Sequence, residues 1–129
     1  MSTRSSALTN RAGVIVRLRG ERRFLAAHLV RRFVPPPTLS DVAGTGLTMA
    51  LVDGQVLAII AVGPRGSALT VCEVGGELVG LLGADPEAVG FFETSPEGVS
   101  FQGKSAPDLD LAELVRKSAR GTFEQEAEA

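Results

Sequence analysis

Among side chains suited to nucleophilic, acid–base or metal chemistry, the 129-residue chain holds one histidine, His28, and one cysteine, Cys72. A histidine acts as a general base only beside a nucleophile or an orienting acid, and no local motif supplies one to His28. A structural place on or near the surface is its default reading. Cys72 stands in an apolar run with Val71 and Val74, where a free cysteine behaves as a small apolar residue. Its neighbour Glu73 offers none of the positive charge that activates a thiol. One cysteine can make neither an internal disulfide nor a cysteine-based metal site. Glu93 with Glu97, and Asp108 with Asp110, can be written as carboxylate pairs, but both sit in turn-rich stretches where acids are usually solvated. Gly44-Thr45-Gly46-Leu47-Thr48-Met49 begins like a dinucleotide fingerprint. It has Met where the third glycine belongs, and it precedes a strand where it should follow one. Walker, zincin, Gly-x-Ser-x-Gly and EF-hand patterns are absent. We therefore expect no catalytic residues, no metal and no cofactor, and a protein that is not an enzyme.

The arginines carry the other candidate chemistry. Up to residue 34 the chain has eight arginines against one acid, Glu21, a net +7; the remainder holds five basic and fourteen acidic residues, a net −9, and together they give the overall −2. The sequence predicts a basic pole and an acidic remainder, serving either as solvated faces or as an edge that meets an acidic partner. A nucleic-acid site needs exposed aromatics between its basic residues. This stretch offers only Phe24 and Phe33, both in apolar company. Nucleic-acid binding is kept as a further alternative.

These residues must be held by a small, turn-rich fold. Hydrophobic residues make up 44% of the chain, with fifteen Gly, seven Pro, and six Phe as the sole aromatics. That is enough for one domain, or for two very small lobes. The polar start, MSTRSSALTN, is no signal peptide, and no apolar run is long enough to span a membrane. Together with the lone cysteine this predicts a cytoplasmic protein. Residues 1–12 read as a flexible tail, 13–118 as the folded domain, and 119–129 as an acidic tail.

Val14 to Leu18 alternates as a half-buried strand, followed by a turn at Gly20-Glu21. Ala26 to Phe33 has helix-like spacing and ends at Pro35-Pro36-Pro37. Leu47–Val52 and Gln55–Val62 flank Asp53-Gly54, a favoured pair for a type I′ hairpin turn. The second of these strands is apolar on both faces and is expected to be deeply buried. A second hairpin runs from Leu69 to Leu82 around Gly75-Gly76. Asp85-Pro86-Glu87 reads as the start of a short helix stopped by Gly90. Val99 to Phe101 reads as a strand, Ser105 to Asp110 as a loop or irregular strand, and Leu111, Leu114 and Val115 as the apolar face of a last helix.

In this order the pattern resembles CheW-like domains. Ala68 to Leu82, ALTVCEVGGELVGLL, with the following GADPEAV, is similar to the second half of that family. Val14 to Phe24, Leu25 to Val34 and Leu47 to Val62 are similar to its first half, and DLDLAELV at 108–115 to its closing segment. The resemblance spans about residues 13–117. It implies a mainly β fold of two small SH3-like five-stranded barrels with short helices. The chain's shortness leaves room for one barrel to be incomplete, with an open edge that invites pairing. It further implies a cytoplasmic, non-enzymatic adaptor that couples a chemoreceptor tip to the regulatory domain of a histidine kinase, in a chemotaxis-like pathway such as those of gliding motility. Two alternatives stay open: a module that binds only the receptor or a homologous module, and a small nucleic-acid-binding barrel. By resemblance the receptor groove, set near the junction of the barrels, falls on Val30, Phe33, Thr48, Asp53 and Gly54. At the central turn, where the family usually reads Asn-Leu-Arg-Gly, this chain reads Leu51-Val52-Asp53-Gly54. An acid thus stands in place of an arginine, a change able to redirect specificity.

Overall fold

The computed structural model describes residues 10–44, 47–64 and 66–117. The chain is predominantly β and sorts into two compact units. One takes residues up to Val30 together with Asp85–Leu109, and the other takes Arg31–Ala84 and the segment from Asp110 onward. All of the expected acidic tail, and the expected N-terminal tail up to residue 9, lie outside the described residues. The part that is described is already structured, because the first strand begins at Asn10.

In the first unit, β1 (Asn10–Leu18) is the centre of a three-stranded antiparallel sheet, between β2 (Glu21–Ala26) and β9 (Asp85–Glu93). The β1–β2 turn is Arg19-Gly20, with φ of 55° and 80°. Two positive φ values define a type I′ turn, and Leu18 pairs with Glu21 across it. The turn therefore sits one residue earlier than the sequence suggested, with glycine in the second central place. The apolar centre of β1 is buried on both faces at Val14, Ile15 and Val16, where alternation had implied a single buried face. Two short strands, β10 (Gly98–Phe101) and β11 (Lys104–Pro107), form a hairpin on another turn of the same kind, Gln102-Gly103. Bridges from Thr94 to Val99 and from Phe24 to Asp108 tie the hairpin to β9 and β2. Among the described residues the unit thus holds five strands. Ile15, Phe24, Val99 and Ala106 form its core, with Phe92 edge-on to Phe24 and Phe101 at ring distances of 6.2 and 5.8 Å.

The short helix expected at Asp85 is instead strand β9. Its capping signature is local, and an isolated helix of a few residues cannot sustain itself in water. The edge of β1 offers a long strand partner, from Asn10↔Glu93 to Arg17↔Asp85. The register shifts between Ile15 and Val16, so Pro86 sits beside an irregularity where a missing donor is tolerated. Ala26 to Phe33 divides likewise, into one 3-10 turn (Ala27–Leu29) and strand β3 (Val30–Val34).

The second unit adds β4 (Leu39–Val42), β5 (Leu47–Val52), β6 (Gln55–Ala61), β7 (Leu69–Val74) and β8 (Glu77–Leu82). They form a six-stranded sheet in the order β3-β7-β8-β6-β5-β4. Both expected hairpins are present, and a parallel β6–β8 pair joins them. Val34 of β3 shares a buried cluster with Ala50 of β5 and Leu57 of β6, so the sheet curls around its core. Among the described residues β3 and β4 remain its end strands. The openness comes from these ends, since neither unit has fewer than five strands. Strand β6 buries Leu57, Ile59 and Ile60 but leaves Val56 66% exposed, so it is less deeply set than expected. Gly63 and Gly83 cross where β6 and β8 end: a Cβ on Gly83, at φ 98°, would lie 2.4 Å from the Gly63 Cα. The chain then enters a helix, α1 (111–117), capped by Asp110, whose Oδ1 accepts the Glu113 N–H at 3.0 Å. Among the described residues no helix is long and apolar enough to cross a membrane.

Candidate partner-binding site

The β5–β6 turn needs positive φ at both central residues, and Asp53 (52°) and Gly54 (80°) supply it. This geometry lifts the Asp53 carboxylate out of the sheet, where it forms an ion pair with Arg32 of β3. Next to it Arg31 pairs with Glu73 of β7. The two pairs rim a cleft of about 360 Å³ whose apolar walls include Val52, Leu57, Val71 and Leu78. A second cleft of about 270 Å³ shares Arg32, Val52 and Asp53 with the first and is lined also by Pro35, Pro36, Pro37 and Leu51. The Arg32–Asp53 pair thus borders two small clefts. Both side chains are half exposed or more, so the pair contributes little to stability, about 0–1 kcal/mol. Its effect is to fix where charge is presented.

Of the five residues expected at a groove, Asp53 and Gly54 share this turn. Phe33 is exposed on β3 and lines neither cleft, and Thr48 on β5 donates to Asp41 Oδ1 at 2.9 Å, away from both. Val30 opens β3 where the chain passes from one unit to the other. Sequence reading missed Arg32, because nothing local links it to a turn 21 residues later. It also missed the outward pair Leu51↔Val56, exposed by 67% and 66% beside the turn. The signal for that pair was present, since β5 and β6 are apolar at both parities and a strand with one solvent face would otherwise alternate.

The arginine-rich stretch is used differently from the expected basic pole. Arg11 donates to Asp108 at 2.9 and 3.1 Å and lies 4.7 Å over the Phe24 ring. Glu87 of β9 accepts from Arg22 at 3.0 and 2.8 Å and from Arg17 at 3.4 Å. The Arg22 hydrogen bond, aided by Arg17, holds the Glu87 carboxyl below the usual carboxylate range against a smaller opposing effect of burial. Arg23 pairs with Glu21 at 2.6 Å. Acids distant in sequence therefore meet most of the arginines. The described part of the first unit carries six basic and six acidic residues, so it is balanced overall.

The remaining chemical candidates are dispersed. His28 is exposed on the 3-10 turn. Cys72 is fully buried on β7, and burial pushes its thiol up to about 11. Asp108 is held by Arg11, and Asp110 caps α1. Among the described residues no three metal-binding side chains cluster.

Two compact β units, each of five or six short strands, joined by a chain that leaves the first at Val30 and returns at Asp85, make a CheW-like fold. Nine chains of solved structure match this one. One is the scaffolding protein TtCheW from Thermoanaerobacter tengcongensis, with a TM-score of 0.54, 16% sequence identity, and 67% of each chain covered. No family model matches the sequence, and no curated protein matches it.

Proposed function

We propose that this chain is a non-enzymatic adaptor of the chemotaxis type, which couples a chemoreceptor's cytoplasmic tip to the regulatory domain of a histidine kinase in the cytoplasm. The observation that carries the reading is the two-unit fold it shares with a scaffolding CheW protein. The dispersal of His28, Cys72 and the carboxylates agrees with a protein that works by contact. The Asp53 turn, flanked by two clefts and the exposed Leu51–Val56 pair, is the surface we assign to the receptor. The test is to mix the purified protein with receptor tip and kinase regulatory domain at tens of micromolar. Co-migration with at least one supports the reading, and co-migration with neither rejects it.

A narrower reading is favoured by the acid at the turn: pairing with a receptor or a homologous module alone. An acid neutralised by Arg32 presents a different charge from the arginine usual in CheW-like turns, and charge at a rim selects partners more than it adds affinity. Replacing Asp53 with Arg should then change which receptor tip is bound. An unchanged binding profile removes this turn from the site. A nucleic-acid role is the least favoured, since most of the described arginines are engaged with acids, and Arg11 and Arg22 also cover the Phe24 and Phe101 rings.

A further inference from the structure

At the β1–β2 end of the first unit the charge balance breaks down locally. A shallow basin of about 510 Å³ is lined by Arg17, Arg22, Arg23, Lys104 and Ser105, with Glu21 as its one acid, and Arg19 stands at the adjoining turn. Glu87, shared by Arg17 and Arg22, adds a second negative charge, and Asp85 stands opposite Arg17 in the β1–β9 register as a third, so five cations stand beside three carboxylates. Among the described residues neither Arg19 nor Lys104 has an acidic partner.

The guanidinium groups are held in place. Arg22 is fixed at once by Glu87, by Gln102 Oε1 at 3.2 Å, and by stacking 4.9 Å over Phe101. Arg23 is fixed by Glu21 and by the Arg22 carbonyl at 2.9 Å. A preorganised arginine loses less side-chain freedom on meeting a carboxylate. We propose that this basin is a docking surface for an acidic segment of a partner protein, separate from the Asp53 turn and from receptor coupling.

Charge complementarity selects the occupant. Glu21 and Glu87 sit among the cations and would repel a continuous phosphate backbone. Spaced Asp or Glu side chains can avoid them, while peptide N–H groups donate to them. Within the basin the stacking platform that single-stranded nucleic acid needs is also missing, because no aromatic residue lines it and Arg22 covers the neighbouring Phe101 face.

The test is fluorescence anisotropy on the full chain with two labelled probes of equal charge: a peptide of alternating Asp and Gly, and a single-stranded oligonucleotide. We expect saturable peptide binding that weakens as salt rises and is tighter than oligonucleotide binding. Arg23→Glu and Lys104→Glu should each weaken it by about fivefold or more, as reversed rim charges do, and Arg116→Glu on α1 should leave it unchanged. Lys104→Glu breaks no ion pair of the fold, so it reports even if Arg23→Glu misfolds. No peptide binding, equal or tighter oligonucleotide binding, or indifference to both variants overturns the proposal. So does binding that appears only once residues 118–129 are removed, which would make the chain's own acidic end the occupant.

Discussion

Glu87 is the residue on which the first unit's electrostatics converge, because one carboxylate serves two arginines from two strands. Its folded carboxyl titrates below its ordinary value, chiefly through the Arg22 hydrogen bond. A lowered carboxyl stabilises the fold above the unfolded carboxylate pKa, and that contribution is lost as pH falls through the folded value. Urea midpoints measured through the acid range should therefore fall less steeply for Glu87→Gln than for the native chain. An identical acid limb would contradict the assignment. Cys72 behaves in the opposite sense. Its thiol is raised from 9.0 to about 11 by burial, so stability should begin to decline once the pH passes 9.0, where the unfolded thiol ionises first. At neutral pH a soluble thiol reagent should label Cys72 at the rate of unfolding, and Cys72→Ser should remove both effects. At this scale the sequence was informative wherever the reason was local. The Asp53-Gly54 turn and the apolar setting of Cys72 both follow from adjacent residues. The Arg32–Asp53 pair was invisible, since it depends on how far the six-stranded sheet curls.

At the scale of elements, type I′ turns set the hairpins, and a close crossing of two glycines ends β6 and β8. Gly83→Ala should destabilise the second unit by about 1–3 kcal/mol, because it places a side chain at positive φ and within 2.4 Å of the Gly63 backbone. Gly103→Ala has the same strain at φ 77° but open space around it, and should cost less. Chemical denaturation of the two variants measures the difference, and equal losses would contradict the crowding at Gly63. Both central hairpins were legible because their turns carry the required residues between apolar runs. Strand β9 was not legible, since Asp85-Pro86-Glu87 is a sound helix start by local rules. The edge of β1, about 75 residues upstream of it, outweighs those rules. The parallel β6–β8 pair escaped notice for the same reason, as no local pattern encodes which hairpins become neighbours.

At the scale of the molecule, the charge asymmetry along the sequence turns into pairing within the fold. The basic N-terminal strands and the acid-bearing β9 were far apart as text, and the first unit interleaves them into a balanced whole with one basic end. The surface proposed for the receptor at the Asp53 turn and the basin proposed for an acidic segment fall in different units, so variants can address each one separately. The central claim is that this chain is an adaptor, and bridging tests it most directly. Immobilised receptor tip should retain the kinase regulatory domain only when the chain is added, and Lys104→Glu should leave that retention intact. Retention of the chain without the kinase domain would establish the narrower, receptor-only reading. If the chain itself is not retained while the receptor tip is folded, the adaptor account is contradicted.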